Sequence, residues 1–235
     1  MLLYDIVTTS RNVREASARS EKVRHLAAFL RHLEPEQTEM AVALLAGEPR
    51  QGRIGLGPAT LYAAMPADAA PAPELTLAEV DAELGRIAQT SGAGSAAGRA
   101  RLLQELFVRS TKEEQDFLLR ALLGELRQGA VEGLMAEAVA KAAELPIAEI
   151  RRALMVSGDL RAVARSALTE GRQGLARLSV RVFQPIKPML AQTAEDTPEA
   201  LRQLGKAAFE YKLDGASKST KRATTCASSR ATSKM

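Results

Sequence analysis

Sliding the chain by 77 residues, without a gap, lays Arg24–Gly52 on Arg101–Gly129. Leu26 falls on Leu103, Glu36 on Glu113 and Leu45 on Leu122. Then Gly47-Glu48-Pro49-Arg50-Gln51-Gly52 meets Gly124-Glu125-Leu126-Arg127-Gln128-Gly129, with five of the six residues identical. Helices rich in Leu and Ala align readily by composition, but a polar loop bounded by glycines does not. The chain therefore reads as two copies of a helix–loop–helix unit related by approximate two-fold symmetry.

Composition points the same way. Apolar residues make up 46% of the 235 but aromatic ones only 3%, so the core is left to Ala, Leu and Val. That mix suits close-packed helices better than a β-sandwich. Ser20 is placed to cap a segment with Val23, Leu26, Ala27 and Leu30 on one face. Pro35-Glu36-Gln37 opens another, with Met40, Ala41, Leu44 and Leu45 inward. Residues 63–74 form a Pro/Ala connector. Further helices are predicted at about 76–89, 99–109, 111–124, 130–144, 147–156 and 159–170, with Ser91-Gly92-Ala93-Gly94-Ser95 as an interruption. From Val180 onwards, prolines and short apolar runs predict strands and turns.

No apolar run reaches the length of a membrane span, and the N-terminus lacks the basic start of a signal peptide. One cysteine builds no disulfide framework, and two histidines argue against zinc. A cytoplasmic protein without membrane partners is expected. The formal charge of +4 says little, because Lys218, Lys221, Arg222, Arg230 and Lys234 lie in an acid-free tail. Without those five, 27 basic residues face 28 acidic ones. Any nucleic-acid surface must arise from local clustering.

The repeated loops are the candidates. Each ends a helix with glycine, places an arginine and an amide in the connection, and carries a second glycine before the next helix. Such a loop lets backbone N–H groups approach a phosphate while arginine adds a charge-assisted contact. Gly47, Arg50, Gln51 and Gly52, with Gly124, Arg127, Gln128 and Gly129, are thus the expected DNA-contacting residues. Two such loops related by a two-fold axis match the two phosphate strands flanking a minor groove, a mode that positions without reading sequence. A pair of helix C-caps with solvated arginines accounts for each loop taken singly. Arg19, Lys22 and Arg24, then Arg151-Arg152 and Arg161 with Arg165, either extend that surface or line ordinary solvated faces.

Near the C-terminus, Phe209-Glu210-Tyr211-Lys212-Leu213-Asp214-Gly215 contains Lys-x-Asp-Gly, which by itself also fits a strand entering an Asp-Gly turn. About twenty residues upstream sits Pro185-Ile186-Lys187-Pro188-Met189-Leu190-Ala191. That pairing, after a helical region with Gly-Glu-Leu-Arg-Gln-Gly, closely resembles the ATP-dependent DNA ligases. The likeness is strongest to the bacterial and archaeal enzymes with a helical DNA-binding domain ahead of the nucleotidyltransferase core, and it covers residues 1 to about 215. It implies a mainly α fold: a helical DNA-binding domain over 1–178 with an internal pseudo-two-fold repeat, then the first strands of an adenylation domain over 179–215. It implies ATP and Mg²⁺ as cofactors and nicked double-stranded DNA as partner, bound by a monomer. By the same resemblance Lys212 is the nucleophile that becomes lysyl-AMP, Glu210 recognises the adenine amino group, and Asp214 and Gly215 shape the turn presenting the lysine.

After Gly215 the likeness stops. Residues 216–235 hold no acid, no Leu, Ile or Val, and the sole cysteine. The ribose-contacting arginine, metal-binding glutamate and later phosphate-binding lysines of the family are absent, so this chain alone is expected to be catalytically incomplete. Reading one base earlier restores acidic and apolar residues of the family's kind across Ala223–Lys234. A frameshift near the Gly215 codon therefore accounts for a disordered tail, and a natural basic tail on a free-standing, non-catalytic duplex-binding module is the alternative.

Overall fold

The computed structural model describes residues 1–52, 54–126, 131–181, 195–205, 216–222 and 225–231. The described residues before 216 are mainly helical: α1 (Leu3–Glu15), α2 (Arg19–Leu30), α3 (Pro35–Ala46), α4 (Pro58–Ala63), α5 (Leu77–Gln89), α6 (Ser95–Val108), α7 (Lys112–Leu123), α8 (Val131–Ala142), α9 (Ile147–Ser157), α10 (Leu160–Ala176) and α11 (Thr197–Leu204). Their β pairing is confined to one isolated bridge between Leu2 and Thr76. No described helix is long and apolar enough to cross a membrane.

The helix starts explain themselves locally. The Thr76 Oγ1 accepts from the N–H of Glu79 at 3.2 Å, and the Glu79 carboxylate accepts from the N–H of Thr76 at 2.9 Å. Thr111 and Glu114 repeat this exchange at the head of α7, at 3.4 and 2.8 Å. Each exchange satisfies two N–H groups that a helix start leaves without intrahelical partners. The core these helices enclose is aliphatic, with Phe107 and Phe117 as the largest fully buried side chains.

Helix packing pairs the two halves of the chain crosswise. α1 lies on α2 and α7, while α5 lies on α6 and α3. α2 packs against α8 and α6 against α4, and α3 meets α7. The heads of α1 and α5 are tied reciprocally: Leu3 N–H donates to the Leu75 carbonyl at 2.8 Å, and Leu77 N–H to the Met1 carbonyl at 3.1 Å. α10 closes the other side against α3, α8 and α9.

Several expectations need correction. Helices α1 and α4 were not anticipated from periodicity, and Ser20 lies inside α2, whose N-cap is Ala18. α6 begins at Ser95 rather than about residue 99, and α10 continues to Ala176 through a break at Gly171 (φ 58°, ψ −137°). Strands were expected after Val180, yet residues 197–204 are helical. The Asp196 carboxylate accepts from the Glu199 N–H at 2.8 Å, and Pro198 sits in the first turn, where its missing N–H costs nothing. The remainder of the expected adenylation-domain strands falls on 182–194 and 206–215, outside the described residues. Within the tail, read as disordered, β1 (Ala216–Arg222) and β2 (Thr225–Ala231) pair antiparallel with Ala216 opposite Ala231 and Arg222 opposite Thr225. Only two residues separate those strands, so closing the ribbon costs little chain entropy.

Candidate nucleic-acid interface

The two glycine loops begin in the same way. Gly47 ends α3 in the left-handed region (φ 71°, ψ 22°) and Gly124 ends α7 there too (φ 72°, ψ 23°). After α3, Gly47 N–H reaches the Leu44 carbonyl at 3.0 Å and Glu48 N–H the Ala43 carbonyl at 3.0 Å. After α7, Gly124 N–H reaches Ala121 at 3.2 Å and Glu125 N–H reaches Arg120 at 2.8 Å. This is the same Schellman closure at positions 77 apart in the sequence. Gly52 is also left-handed at φ 65° and its N–H donates to the Pro49 carbonyl at 2.8 Å, which bends the chain away from the helix axis.

The loops adjoin. Leu126, 3% exposed, stands where a Cβ on Gly47 would meet its Cδ1 at 3.5 Å. Together they line a cleft of about 770 Å³ whose further wall is the α9–α10 turn, Gly158 to Arg161. The structure thus brings Gly47, Arg50, Gly52 and Gly124 to one cleft. Arg127, Gln128 and Gly129 lie outside the described residues, as do Glu210, Lys212, Asp214 and Gly215.

Arg50 is exposed but ion-paired. Its Nε donates to Asp81 Oδ1 at 3.0 Å and its Nη2 to Asp81 Oδ2, while Nη1 faces Glu39 Oε2 at 3.6 Å. The Asp81 bonds raise the Arg50 pKa against the effect of burial. Gln51 adds its amide N–H to Asp81, bonding the main-chain carbonyl at 2.9 Å and the carboxylate at 3.0 Å. Arg50 and Gln51 are therefore both held in place by α5.

A second arginine is held alike. Arg161 donates through Nε to Asp159 Oδ1 at 2.9 Å and through Nη2 to Asp159 Oδ2 at 3.2 Å. Burial pushes the Asp159 carboxyl up, but the bonds from Arg161 overcome this and hold it below the usual range. Arg165, one helical turn on, reaches Glu39 Oε1 at 3.4 Å. The sequence offers Arg161 and Arg165 only as an extension of the surface, and it gives no sign of the three carboxylates Glu39, Asp81 and Asp159. No periodic signal links residues so distant in the chain. Arg19, by contrast, is tied to Glu137 on α8, as is Arg151. Among the described residues no group of three or more His, Cys, Asp or Glu could hold a metal ion.

Residues 65–140, which contain the second loop and the helices around it, match the family model described as DNA ligase N terminus. Over most of its length the chain is similar to curated DNA ligases. It is 55% identical over 221 residues to a probable DNA ligase of Anaeromyxobacter dehalogenans (strain 2CP-1 / ATCC BAA-258), covering 92% of this chain and 43% of that protein. A probable DNA ligase of Mycolicibacterium gilvum (strain PYR-GCK) is 51% identical over 217 residues, covering 92% of this chain and 42% of the relative. One of Sorangium cellulosum (strain So ce56) is 46% identical over 216 residues, covering 92% and 40%. The chain thus spans about two fifths of the length of these curated ligases.

Proposed function

We propose that this ligase chain is a duplex-binding arm joined to the opening of an adenylation domain, and that the arm holds nicked DNA without regard to sequence. The observation that carries the reading is the pair of identical left-handed glycine turns, at Gly47 and Gly124, facing one cleft. An approximate two-fold axis between the copies is supported by the crosswise packing of α1 with α7 and α5 with α3. Such an axis sets the loops against the two backbones beside a minor groove, where phosphate contacts position the protein.

The arm spans 1–178 and the adenylation segment 179–215. In the whole enzyme the amine of Lys212 attacks the α-phosphorus of ATP, forming an N–P bond as the bond to pyrophosphate breaks, with Mg²⁺ offsetting phosphate charge. Glu210 reads the adenine amino group, and Asp214 and Gly215 present the lysine. The adenylate then passes to the 5′-phosphate of the nick, and the 3′-hydroxyl displaces AMP. A free-standing module without catalysis is less well supported, since the relatives above are named ligases.

The test is duplex binding by the Arg50→Ala, Arg127→Ala double variant. Affinity should fall equally for unrelated duplex sequences, and the salt dependence should become shallower by about 0.9 for each phosphate that is no longer neutralised. Unchanged affinity at several salt concentrations, with helical content intact, refutes the loop assignment.

A further inference from the structure

Beside the cleft lies a smaller, open polar pocket of about 360 Å³ lined by Glu39, Arg50, Gln51, Asp159 and Arg161. Its two arginines come from different elements, the α3 loop and the first turn of α10. Each is clamped through Nε and Nη2 by an aspartate, Asp81 or Asp159, which leaves Nη1 as the remaining edge. Between them stands Glu39, contacting Arg50 at 3.6 Å and Arg165 at 3.4 Å and lying within electrostatic reach of Arg161. The α9–α10 turn lies outside both the sequence repeat and the matched region 65–140.

We propose that Arg50, Arg161 and Arg165 form a cradle for one backbone phosphate of bound duplex, and that the Glu39 carboxylate stands in for that phosphate in the free protein and gives way to it. This rests on the reading of the arm as a duplex binder and adds a contact point from α10 to the two glycine loops.

Bond geometry decides which of the three acids yields. Asp81 and Asp159 hold their arginines side-on with two parallel hydrogen bonds each, an arrangement that fixes guanidinium orientation. Glu39 makes only single-point contacts at 3.4 and 3.6 Å. Long single-point contacts at a partly exposed carboxylate are the weakest in the cluster. Glu48 also acts on Arg161, so the cluster sets three guanidinium groups against four carboxylates, and withdrawal of Glu39 removes one negative charge from the face of the pocket. A phosphate offers more acceptor oxygens than a carboxylate and suits several guanidinium edges at once. The aspartates would remain as supports, keeping the arginines aimed so that little side-chain entropy is lost on binding.

The experiment measures binding of the full chain to a short fluorescein-labelled duplex with one nick, across roughly 50 to 200 mM NaCl. Glu39→Gln keeps the shape and removes the competitor, so it should bind several-fold tighter with a steeper salt dependence. Arg161→Gln should bind about tenfold more weakly with a slope shallower by about 0.9. In an Arg161→Gln, Arg165→Gln background the gain from Glu39→Gln should vanish, because the cradle it frees no longer exists. Thermal unfolding of each variant separates weakened binding from a weakened fold. If Arg161→Gln lowers stability but leaves the salt slope unchanged, Arg161 is only a strut and the cradle is overturned. A gain from Glu39→Gln that persists without Arg161 and Arg165 reflects the general field of a removed charge and also overturns it. Either result, with the Arg50→Ala, Arg127→Ala variant still weakened, leaves the glycine-loop reading standing; salt-independent or absent binding by the unmodified chain overturns both.

Discussion

Gly47→Ala and Gly124→Ala test whether the two matching turns are physically equivalent. Both glycines occupy the left-handed region, at φ 71° and φ 72°. An L-residue there costs roughly 1–2 kcal/mol through the approach of Cβ to the backbone. Alanine also restricts the unfolded chain, which returns about 0.4–1 kcal/mol. The net expectation is a loss of about 1 kcal/mol for each substitution. Surroundings decide whether the two differ. A Cβ at Gly124 meets nothing within 4 Å, and one at Gly47 meets Leu126 Cδ1 at 3.5 Å, which is ordinary contact. The two variants should therefore agree to within about 0.5 kcal/mol in urea unfolding, with unchanged m-values. Asparagine at either site should recover part of the loss, because it tolerates this conformation. A cost at Gly47 of about 3 kcal/mol or more would show that Leu126 cannot move, and its packing on the loop would then be a rigid core element. A cost near zero at Gly124 would refute the claim that its left-handed turn is obligatory.

Acid should weaken the α5 start. The Thr76 hydrogen bonds, joined by Arg109, lower the Glu79 carboxyl from 4.5 to about 2. A depressed acid stabilises the fold above its unfolded value, and that contribution fades as pH falls from about 4.5 toward 2. Glu79→Gln should flatten the decline of the unfolding midpoint over this range; an identical acid profile in the variant counts against the assignment. For catalysis, the 235 residues incubated with α-labelled ATP and Mg²⁺ should yield no labelled protein band, because phosphate-binding groups and a metal site are needed to stabilise the transition state. A band that Lys212→Ala abolishes would show that they suffice.

How much of the fold is legible in the sequence follows from the range over which each signal acts. Helices α5 and α7–α9 lie close to their expected places because capping threonines, apolar spacing and terminal glycines act within one or two turns. The sequence conceals α1 because Thr9 and Ser10 share its buried face with Leu3, Ile6, Val7 and Val13. Thr9 resolves the conflict by donating its hydroxyl to the Asp5 carbonyl one turn back, at 2.9 Å. It conceals α11 because Pro198 reads as a break, whereas the fold uses it as a first-turn residue. At the candidate site the glycines are legible for the same local reason. The fastening of Arg50 is not, because Asp81 lies 31 residues away on another helix.

That fastening also shows why identical loops need not be identical sites. The reciprocal bonds at the heads of α1 and α5 align Leu3 with Leu77, so the position of Asp81 in α5 corresponds to Val7 in α1. Val7 is buried and has no charge to offer. Within the loops, Pro49 stands where the other copy has Leu126, and only Leu126 is packed away, against Gly47. The two loops therefore share what the main chain needs, a left-handed glycine and a Schellman closure, while the residue matching Asp81 carries no charge. Phosphate contact through backbone N–H groups survives such divergence, since it depends on main-chain shape alone. Contact through arginine does not, because each guanidinium must be aimed and its competing carboxylates loosened. The turns at Gly47 and Gly124 are thus what the two loops share, whereas Asp81 has only Val7 at the matching position.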